Sequence, residues 1–341
     1  MNQELTHRLK EILNEYNSLG IVKQIDYQKF YLYSIITHST AIEGSTVTEI
    51  ENQLLFDEGI SAKGRTIQEQ MMNLDLKMAY EQSMILAHQH TNFSVEMLKG
   101  LSAIVMKNTG SIYNTAQGSF DASKGDLRLV GVTAGVGGRS YMNYMKVPSK
   151  LEEFCKNINI HRQHLLGNDD IIAKYLLSFE AHYQLVTIHP WVDGNGRMAR
   201  LIMNHLQYEL GLLPVKILKE DKAEYIQALV DSQEQESYEP FNSFMLKEHI
   251  QNLKKEIEEY IKTQAIDPIK TVPDPINVSS DPIKERLIDA IKQDNSLNYA
   301  EYGRLLGVSE ATIKRRLSEL KKTGIIIRKG SNKTGHWEIK Q

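Results

Sequence analysis

The stretch HPWVDGNGRMAR at residues 189–200 concentrates more polar chemistry than a simple connection between two helices usually carries. The segment before it, DDIIAKYLLSFEAHYQLVTIH (169–189), repeats apolar residues every three to four positions, which predicts a helix that ends near His189. Helical periodicity resumes in RMARLIMNHLQYEL. Pro190 and the glycines between the two segments therefore predict a tight loop that leads into the N-terminus of a second helix.

The start of this second helix is suited to binding an anion. Backbone N–H groups in the first turn lack partners within the helix, and the helix dipole is positive there. Gly194 and Gly196 allow a ligand to approach the backbone closely. The positive charges of Arg197 and Arg200 lie near the positive end of the helix dipole, which is unfavourable unless a bound polyanion compensates for them. Guanidinium groups bind phosphate oxygens well because their N–H groups match the geometry of those oxygens. The pattern predicts a phosphate site.

Two further side chains indicate what happens to the phosphate. Asp193 is a hard oxygen ligand that suits Mg²⁺ bound to the same phosphates. His189 titrates near neutrality and can take a proton from an attacking hydroxyl. Together these residues predict nucleotidyl or phosphoryl transfer to a hydroxyl group. A plain loop with surface charges would not require this ordered combination.

The same stretch closely resembles the Fic-domain signature H-x-F-x-[D/E]-G-N-G-R-x-x-R, with Trp191 in place of the usual Phe. Trp191 keeps a bulky apolar anchor at that position. The resemblance extends over about residues 26–250 and includes YIQALVDSQEQESYEPFNSF. It implies a mainly α-helical Fic fold, a helical bundle with a β-hairpin flap. It also implies an enzyme that moves AMP from ATP to a Tyr, Thr or Ser hydroxyl of a target protein and releases pyrophosphate.

The resemblance assigns a role to each polar residue of the motif. His189 is the general base and Asp193 binds Mg²⁺. The start of the helix holds the phosphates. Asn195 and the amides of Gly194 and Gly196 bind the α- and β-phosphates. Arg197 and Arg200 bind the β/γ end of the phosphate chain. Tyr225, on a later helix, is a candidate for the adenine pocket. The alternative, that Tyr225 is a core aromatic, stays open.

Residues 125–148, GDLRLVGVTAGVGGRSYMNYMKVP, interrupt the helical pattern. Their glycines and β-branched residues predict a hairpin that turns near Gly135–Gly138. The segment lacks the GxxxxGK[ST] pattern of a P-loop. Taken alone it is a surface hairpin. The resemblance identifies residues 129–145 as the flap, which pairs with an extended segment of the target so that the acceptor hydroxyl faces His189.

The stretch STAIEG (39–44) places Ser39 and Glu43 on one face of a predicted helix that is followed by Gly44. Taken alone, Glu43 would be a surface acid at a helix end. The stretch resembles the inhibitory motif [S/T]-x-x-x-E-[G/N] of Fic proteins that carry their inhibitory helix N-terminal to the core. There the glutamate pairs with the second motif arginine, here Arg200. A carboxylate and a phosphate then compete for one guanidinium.

The domain organisation follows from composition. Four prolines, at 268, 273, 275 and 282, predict an extended linker over residues 266–282. We expect an N-terminal helical region with the inhibitory helix at 1–90 and a Fic catalytic core at 91–265. Residues 283–341 carry 13 Lys and Arg against 7 Asp and Glu, a local net charge of +6, and their pattern of three helices and a two-stranded wing resembles a winged helix-turn-helix.

Basic residues on the predicted third helix and wing of this tail raise the alternative of a DNA-binding regulator. They are Lys314, Arg315, Arg316, Lys321, Lys322, Arg328, Lys329 and Lys333. Interleaved Glu310 and Glu319 weaken this prediction. Contact with a protein partner through the same domain is the competing interpretation.

The whole chain has 341 residues, of which 41% are hydrophobic and 24% are charged, and this composition predicts a soluble globular protein. Its net charge of −3 predicts no general attraction to nucleic acid or membranes. A single cysteine, Cys155, excludes an intrachain disulfide and a thiolate-rich metal site. The charged N-terminus lacks the apolar run of a signal peptide, and no apolar run is long enough to span a membrane. We expect a cytoplasmic location.

Several alternatives stay open for the activity. Glu43 could instead orient a water that strips AMP from a modified protein, and UTP or GTP could replace ATP as donor. The GNGR sequence argues against the kinase-like Doc branch, and the pair His161 and His164 lacks a neighbouring carboxylate for a metal hydrolase. Sixteen tyrosines allow the protein itself to serve as an AMP acceptor. A homodimer is implied by the resemblance only.

Overall fold

The structure is a computed structural model that describes residues 3–134, 138–266, 282–295, 297–306, 308, 310–322, 325–329 and 336–339. The chain divides into two units, Met1–Gln264 and Ala265–Gln341. Apart from its two end residues, the predicted linker at 266–282 lies outside the described residues.

The first unit is built mainly from helices. They are α1 (Gln3–Ser18), α2 (Tyr27–Ile42), α3 (Glu49–Glu58), α4 (Ile67–His88), α5 (Val95–Val105), α6 (Val147–Leu165), α7 (Ile171–Ile188), α8 (Asn195–Glu209), α9 (Lys222–Glu234) and α10 (Glu239–Ile266). A short hairpin of β1 (Ile112–Thr115) and β2 (Gly118–Asp121) lies between α5 and α6. The predicted mainly α fold is confirmed.

Local sequence signals set where the helices begin. A capping box begins α3, as the spacing of Thr48 and Glu51 in the sequence predicts: the Thr48 hydroxyl accepts a hydrogen bond from the Glu51 N–H, and the Glu51 carboxylate accepts one from the Thr48 N–H. Thr66 and Glu69 form the same arrangement at the start of α4. Four orphan N–H groups of these two helix starts are thereby satisfied.

Helix α8 lies at the centre of this unit and packs against α7 and α4. Nearly all of its residues are buried, including polar ones such as Asn204 and His205. Buried polar groups need partners, and Asn204 receives a 2.7 Å hydrogen bond from the Tyr80 hydroxyl of α4. One hydrophobic core runs from Leu9 in α1 to Ile257 in α10. The boundary predicted between an N-terminal helical region at 1–90 and a catalytic core at 91–265 stays a prediction.

The hairpin β1–β2 was not predicted. Its strands pair antiparallel with Ile112 opposite Asp121 and Tyr113 opposite Phe120. Gly118, at φ 124°, supplies the backbone conformation that closes the turn. Each strand has only four residues, which is too short for a clear alternation of apolar and polar positions.

The predicted flap has the expected antiparallel course but almost no regular strand. Thr133 and Ser140 form an isolated bridge, and the Tyr141 N–H donates to the Val132 carbonyl at 3.0 Å. The predicted turn at 135–138 lies mostly outside the described residues. Arg128 donates hydrogen bonds to a backbone carbonyl in each arm, as described below. This contributes to the shortness of the strand pairing between the two arms.

The second unit contains α11 (Pro282–Gln293), α12 (Tyr299–Leu306), α13 (Glu310–Lys322) and a wing of β3 (Ile326–Lys329) and β4 (His336–Ile339). β3 and β4 pair antiparallel, and Trp337 packs in a core with Leu287, Tyr302 and Ile313. The predicted order of three helices and a hairpin is confirmed. Three residues whose types predict helix ends, Gly307, Ser309 and Gly324, lie outside the described residues, as does Lys333 of the predicted wing.

Within the described part of the chain, no helix combines the length and apolarity that crossing a membrane requires.

Candidate active site

His189 lies at the junction between α7 and the loop that leads to α8. Its backbone has φ 53° and ψ 62°, a left-handed conformation that is uncommon outside glycine. Its Nδ1 atom is 3.3 Å from the Val186 carbonyl oxygen. Because a carbonyl oxygen only accepts, Nδ1 carries the proton and Nε2 keeps its lone pair. The imidazole therefore has the tautomer of a base that acts through Nε2.

The surroundings of His189 keep it uncharged. Its ring stacks on Tyr141 with 3.6 Å between ring centroids and 17° between the planes. Burial lowers the pKa of His189 to about 4, against the opposing effect of the Val186 carbonyl and with a further decrease from the nearby Arg128 charge. At neutral pH the side chain is ready to accept a proton.

The loop after His189 is held by Trp191 and Asn195. Trp191 is buried, as expected for an apolar anchor, and its Nε1 donates to the Gly125 carbonyl at 3.1 Å. The Asn195 side chain accepts from the Trp191 N–H at 3.1 Å and donates to the Trp191 carbonyl at 2.8 Å. One Nδ2–H and the Oδ1 atom of this side chain are thus used to shape the loop, so a phosphate contact from Asn195 would come from its second Nδ2–H or from its backbone N–H.

Asp193 and Gly194 form the turn at the start of α8. A Cβ atom on Gly194 would lie 2.7 Å from Met106 Sδ, and φ is 79°, so this position requires glycine. The Asp193 side chain is 62% exposed and 3.7 Å from Arg197 Nη2. Among the described residues, no group of three or more His, Cys, Asp or Glu forms a metal cage. A lone accessible carboxylate fits Mg²⁺ that takes its other ligands from phosphates and water.

Arg197 is buried with weak partners. Its Nη2 lies 3.2 Å from Met106 Sδ and its Nη1 lies 3.4 Å from the Val105 carbonyl. Its Nε has no hydrogen-bond partner among the described residues. Burial lowers the pKa of Arg197, and Asp193 and Glu43 oppose that effect. A buried cation with so little compensation favours binding of an anion beside it.

Arg200 contacts the inhibitory stretch directly. Its Nε donates to the Ser39 hydroxyl at 2.8 Å, and its Nη2 donates to the Ser39 carbonyl at 2.9 Å. The same Nη2 donates to Glu43 Oε1 at 2.5 Å. The stretch STAIEG and the last arginine of the motif are therefore adjacent in space.

Glu43 also lies on the first turn of α8. A Cβ atom on Gly196 would lie 2.4 Å from Glu43 Oε1, so any side chain at this position would force the carboxylate to move. Burial alone would raise the pKa of Glu43, but Arg200, and then Arg197 and Lys222, outweigh it and the pKa is lowered. Glu43 is thus an anion held at the positive end of α8. Gly44 follows with φ 103°, where the chain leaves α2.

A buried polar cluster fixes the end of α2 that carries Glu43. Asn73 of α4 accepts from the Thr40 hydroxyl at 2.7 Å and from the Asn52 amide at 2.8 Å, and it donates to the Ser45 hydroxyl at 3.1 Å. Glu69 accepts from the Thr46 N–H at 2.7 Å. Sequence reasoning missed this cluster, because nothing in the local pattern pairs α2 with α4.

Tyr225 lies behind Arg200. It is 2% exposed, its hydroxyl is 3.0 Å from His182 Nε2, and the charge of Arg200 opposes the increase in the pKa of Tyr225 that burial causes. This is the position of a core aromatic, the alternative that the sequence left open. A contact with adenine stays a prediction.

Arg128 is a further residue that sequence reasoning missed. It is 1% exposed, and its Nε donates to the His189 carbonyl at 2.7 Å. Its Nη1 donates to the Val130 carbonyl at 2.7 Å and its Nη2 donates to the Met142 carbonyl. One guanidinium thus joins both arms of the flap to the residue that carries the base.

Comparison with known families agrees with this geometry. Residues 92–207 match the Fic/DOC family, and residues 280–327 match the family described as winged helix-turn-helix DNA-binding. The first match includes the loop from His189 to Arg200 but ends before Tyr225 and begins after the stretch with Glu43.

Curated relatives are similar over more than half of this chain. The protein adenylyltransferase fic-1 of Caenorhabditis elegans is 25% identical over 225 residues, which is 65% of this chain and 40% of that protein. The protein adenylyltransferase Fic of Drosophila grimshawi is 27% identical over 195 residues, 56% of this chain and 36% of that protein. The chain thus matches about two fifths of the length of these relatives.

Solved structures share the fold. A Fic domain-containing signaling protein from Bacteroides thetaiotaomicron has a TM-score of 0.61 at 18% identity, covering 75% of this chain and 98% of that chain. A Fic family protein from Desulfovibrio desulfuricans G20 has a TM-score of 0.59 at 20% identity, covering 99% and 95%. The chain therefore contains a Fic/DOC family domain with the Fic fold, followed by a winged helix-turn-helix domain.

Proposed function

We propose that this protein transfers AMP from ATP to a Tyr, Thr or Ser hydroxyl of a target protein, and that Glu43 keeps the site inhibited. The proposal is supported above all by the position of the Glu43 carboxylate. It contacts Arg200 and lies on the first turn of α8, where an anionic substrate would bind. The relatives that carry the name protein adenylyltransferase support AMP as the transferred group.

The base chemistry follows from the tautomer of His189. Nε2 takes the proton of the acceptor hydroxyl as its oxygen attacks the α-phosphorus of ATP. A bond forms between that oxygen and phosphorus, the bond from phosphorus to the α,β-bridging oxygen breaks, and pyrophosphate leaves with that electron pair. The Nδ1–H bond to the Val186 carbonyl supports the imidazolium that results.

The phosphates are held by the start of α8. The backbone N–H groups of its first turn, together with Arg197 and Arg200, supply positive charge to the three phosphates. The Gly194 N–H donates to Asp193 Oδ1 at 2.6 Å and would have to exchange that partner for a phosphate oxygen. Asp193 would hold Mg²⁺, which when bound neutralises part of the charge on the phosphates. The exposed position of the Asp193 carboxylate beside this turn suits a metal shared with the nucleotide.

Inhibition is a competition between two anions for one site. While Glu43 pairs with Arg200, a phosphate cannot take the same guanidinium donors, and the carboxylate repels the phosphate chain. ATP must then bind with its terminal phosphate displaced from Arg200. Removal of the carboxylate would leave Arg200 available to the nucleotide and raise the transfer rate.

The test uses the full chain with Mg²⁺ and ATP labelled at the α-phosphate, with and without cell lysate. We expect much stronger protein labelling by Glu43→Gly than by the wild type, and none by Glu43→Gly combined with His189→Ala. Glu234→Gly is the matched control, because Glu234 is an exposed glutamate at the end of α9. Label on the band of the protein itself would identify it as an acceptor.

Equal labelling by wild type and Glu43→Gly would overturn the inhibitory role of Glu43. Absence of label in every variant would overturn AMP transfer. ATP labelled at the γ-phosphate and labelled UTP would then distinguish a kinase or a uridylyl transferase. Loss of label from a pre-modified target, dependent on Glu43, would support AMP removal instead.

A second candidate function, DNA contact, is favoured by the match of residues 280–327 to a DNA-binding winged-helix family. Helix α13 exposes Lys314, Arg315 and Lys321. In the wing, Lys329 pairs with Glu338 at 2.8 Å and Arg328 lies over Trp337. The three exposed residues of α13 form a basic surface suited to a DNA backbone, with Lys314 also lying over the Tyr299 ring.

Binding of the full chain to duplex DNA from its own upstream region, measured over a range of salt concentrations, tests this function. DNA contact predicts a steep decrease of affinity with salt. Changing Lys314 and Arg315 to Glu should make that slope shallower, by about 0.9 for each phosphate that the protein no longer neutralises. Lys254→Glu on α10 is the matched control because Lys254 is also exposed. Weak binding without salt dependence would leave contact with a protein partner.

A further inference from the structure

Both arms of the flap contact His189, the residue that carries the proposed base. The first arm follows Arg128, whose side chain reaches the His189 carbonyl. The second arm carries Tyr141, whose ring stacks on the imidazole. These contacts go beyond those needed to present an extended peptide, since they act on the base and not on an acceptor.

Arg128 fixes the backbone at His189. Its N–H donates to the Pro190 carbonyl at 3.1 Å, and its guanidinium donates to the His189 carbonyl at 2.7 Å. A left-handed backbone at a residue with a side chain persists only when its surroundings determine it. Two adjacent carbonyls held by one buried residue provide that determination. Because the same guanidinium also holds Val130 and Met142, the two arms share this fixed point.

Tyr141 fixes the plane of the ring. The Val186 carbonyl holds the Nδ1 edge, and the Tyr141 ring covers one face at 3.6 Å between centroids. Rotation of the imidazole would break both contacts. The Nε2 lone pair lies in the ring plane, so a stacked neighbour leaves it accessible. The Tyr141 N–H donates to the Val132 carbonyl, which links this residue to the opposite arm.

We propose that Tyr141 and Arg128 are positioning residues that make the two arms of the flap part of the support for His189. This inference rests on the proposed function, in which His189 Nε2 accepts the acceptor proton. An acceptor segment paired along the flap would then be placed in the same frame as the base. Docking of the acceptor segment and alignment of His189 then depend on the same two arms of the flap.

The first test measures AMP transfer in the Glu43→Gly background, where activity is expected. Tyr141→Ala should lower kcat by roughly 10- to 100-fold, as expected for a misplaced catalytic group, with little change in KM for ATP. Tyr141→Phe keeps the stacked ring and should restore most of kcat. Tyr144→Ala is the matched control, because Tyr144 makes no ring contact with His189 in the part of the chain that the structure describes.

The second test needs no substrate. An NMR titration of His189 in the full chain should show a pKa well below that of free histidine, because burial lowers it. Tyr141→Ala removes the cover and should move that pKa upward, whereas Tyr141→Phe and Tyr144→Ala should leave it in place. Arg128→Met should also move that pKa upward, but it removes a nearby positive charge as well as the support, so Tyr141→Ala is the variant whose titration tests the positioning role.

The two tests separate this inference from the function on which it rests. A His189 titration and a kcat that are both unchanged in Tyr141→Ala would overturn the positioning role. A titration that moves as expected, with no AMP transfer in any variant, would support the positioning role and overturn the proposed transfer. A fall in kcat that Tyr141→Phe does not restore would also contradict it, because the hydroxyl would then be the active part.

Discussion

Glu43 and Gly196 are so close that a methyl group on Gly196 would lie 2.4 Å from Glu43 Oε1, a distance that Cβ atoms essentially never show. The two residues are far apart in the sequence, one at the end of α2 and the other in the first turn of α8. Their contact means that the glycine of the motif accommodates the chain's own carboxylate as well as any bound phosphate. The predicted phosphate site at the start of α8 therefore already holds an anion, the Glu43 carboxylate.

This contact predicts that Gly196→Ala and Glu43→Gly are energetically coupled. In the wild type, Gly196→Ala should destabilise the first unit by about 1–3 kcal/mol through overpacking. In Glu43→Gly the clash is absent, Arg200 can shift, and alanine should be neutral or stabilising by up to about 1 kcal/mol, as its helix propensity predicts. Urea unfolding of the four proteins in a Trp337→Phe background, with Trp191 as the fluorescent probe, measures the coupling. Additive effects would contradict the contact.

The buried cluster around Asn73 predicts a second route to activation. Asn73→Ala removes partners of Thr40, Asn52 and Ser45, so the end of α2 loses part of its attachment to α4. We expect higher AMP transfer than in the wild type, because Glu43 is then held less firmly against Arg200. In the Glu43→Gly background the same substitution should have no activating effect.

Labelling with α-labelled ATP in the presence and absence of Glu43 checks this second route. Asn204→Ala is a suitable control because Asn204 is also a buried, hydrogen-bonded asparagine of the first unit. Its side chain accepts a hydrogen bond from Tyr80 of α4 and does not hold the end of α2. Activation by Asn73→Ala that persists without Glu43 would show that the cluster acts by another route.

A buried ion pair predicts a large effect on stability away from the site. Arg162 is 1% exposed, its Nη1 lies 3.1 Å from Glu209 Oε1, and it donates to the Thr91 carbonyl at 2.8 Å. Arg162→Met leaves the Glu209 carboxylate buried, with His90 as its remaining ion-pair partner among the residues that the structure describes. Breaking one side of a buried pair costs about 3–5 kcal/mol.

Urea unfolding in the same Trp337→Phe background measures this loss, and a second substitution tests its cause. Glu209→Leu added to Arg162→Met should recover part of the stability, because the uncompensated charge is removed. Lys150→Met breaks an exposed pair with Glu153 and should change stability by less than about 1 kcal/mol. Similar losses in Arg162→Met and Lys150→Met would contradict the buried pair.

The sequence allowed the helices and the loop at 189–200 to be predicted because both depend on local patterns. Apolar residues at helical spacing identify the buried face of α7, and Thr48 with Glu51 identifies the start of α3. The position of STAIEG beside Arg200 was implied by family resemblance. No spacing argument connects residues so distant along the chain.

The roles of single side chains were harder to predict, since they depend on tertiary partners. Asn195 uses its side chain on the loop itself, and Tyr225 lies in the core behind Arg200. Arg128 lies in a glycine-rich segment that gives no sign of burial, yet its guanidinium meets three carbonyls. Such roles follow from which backbone groups remain unpaired after folding, and a linear pattern does not contain that information.

Buried histidines predict a loss of stability in mild acid. His249 is 0% exposed, its Nε2 lies 3.0 Å from the Tyr175 hydroxyl, and burial, with the charge of Lys216, lowers its pKa to about 3. The unfolded chain takes up a proton on this residue near pH 6.5 and the folded chain does not. The stability contribution is therefore full above pH 6.5 and falls as the pH decreases towards 3, by about 1.4 kcal/mol per pH unit.

The group can be isolated by substitution. His249→Gln can still donate to the Tyr175 hydroxyl but does not titrate, so the pH dependence of unfolding between pH 6.5 and 4.5 should become shallower by about 1.4 kcal/mol per pH unit. His7→Gln is the matched control, because His7 is an exposed histidine of α1. Urea unfolding at three pH values in this window provides the slopes. An unchanged slope in His249→Gln would mean that the folded chain protonates His249 as readily as the unfolded chain does.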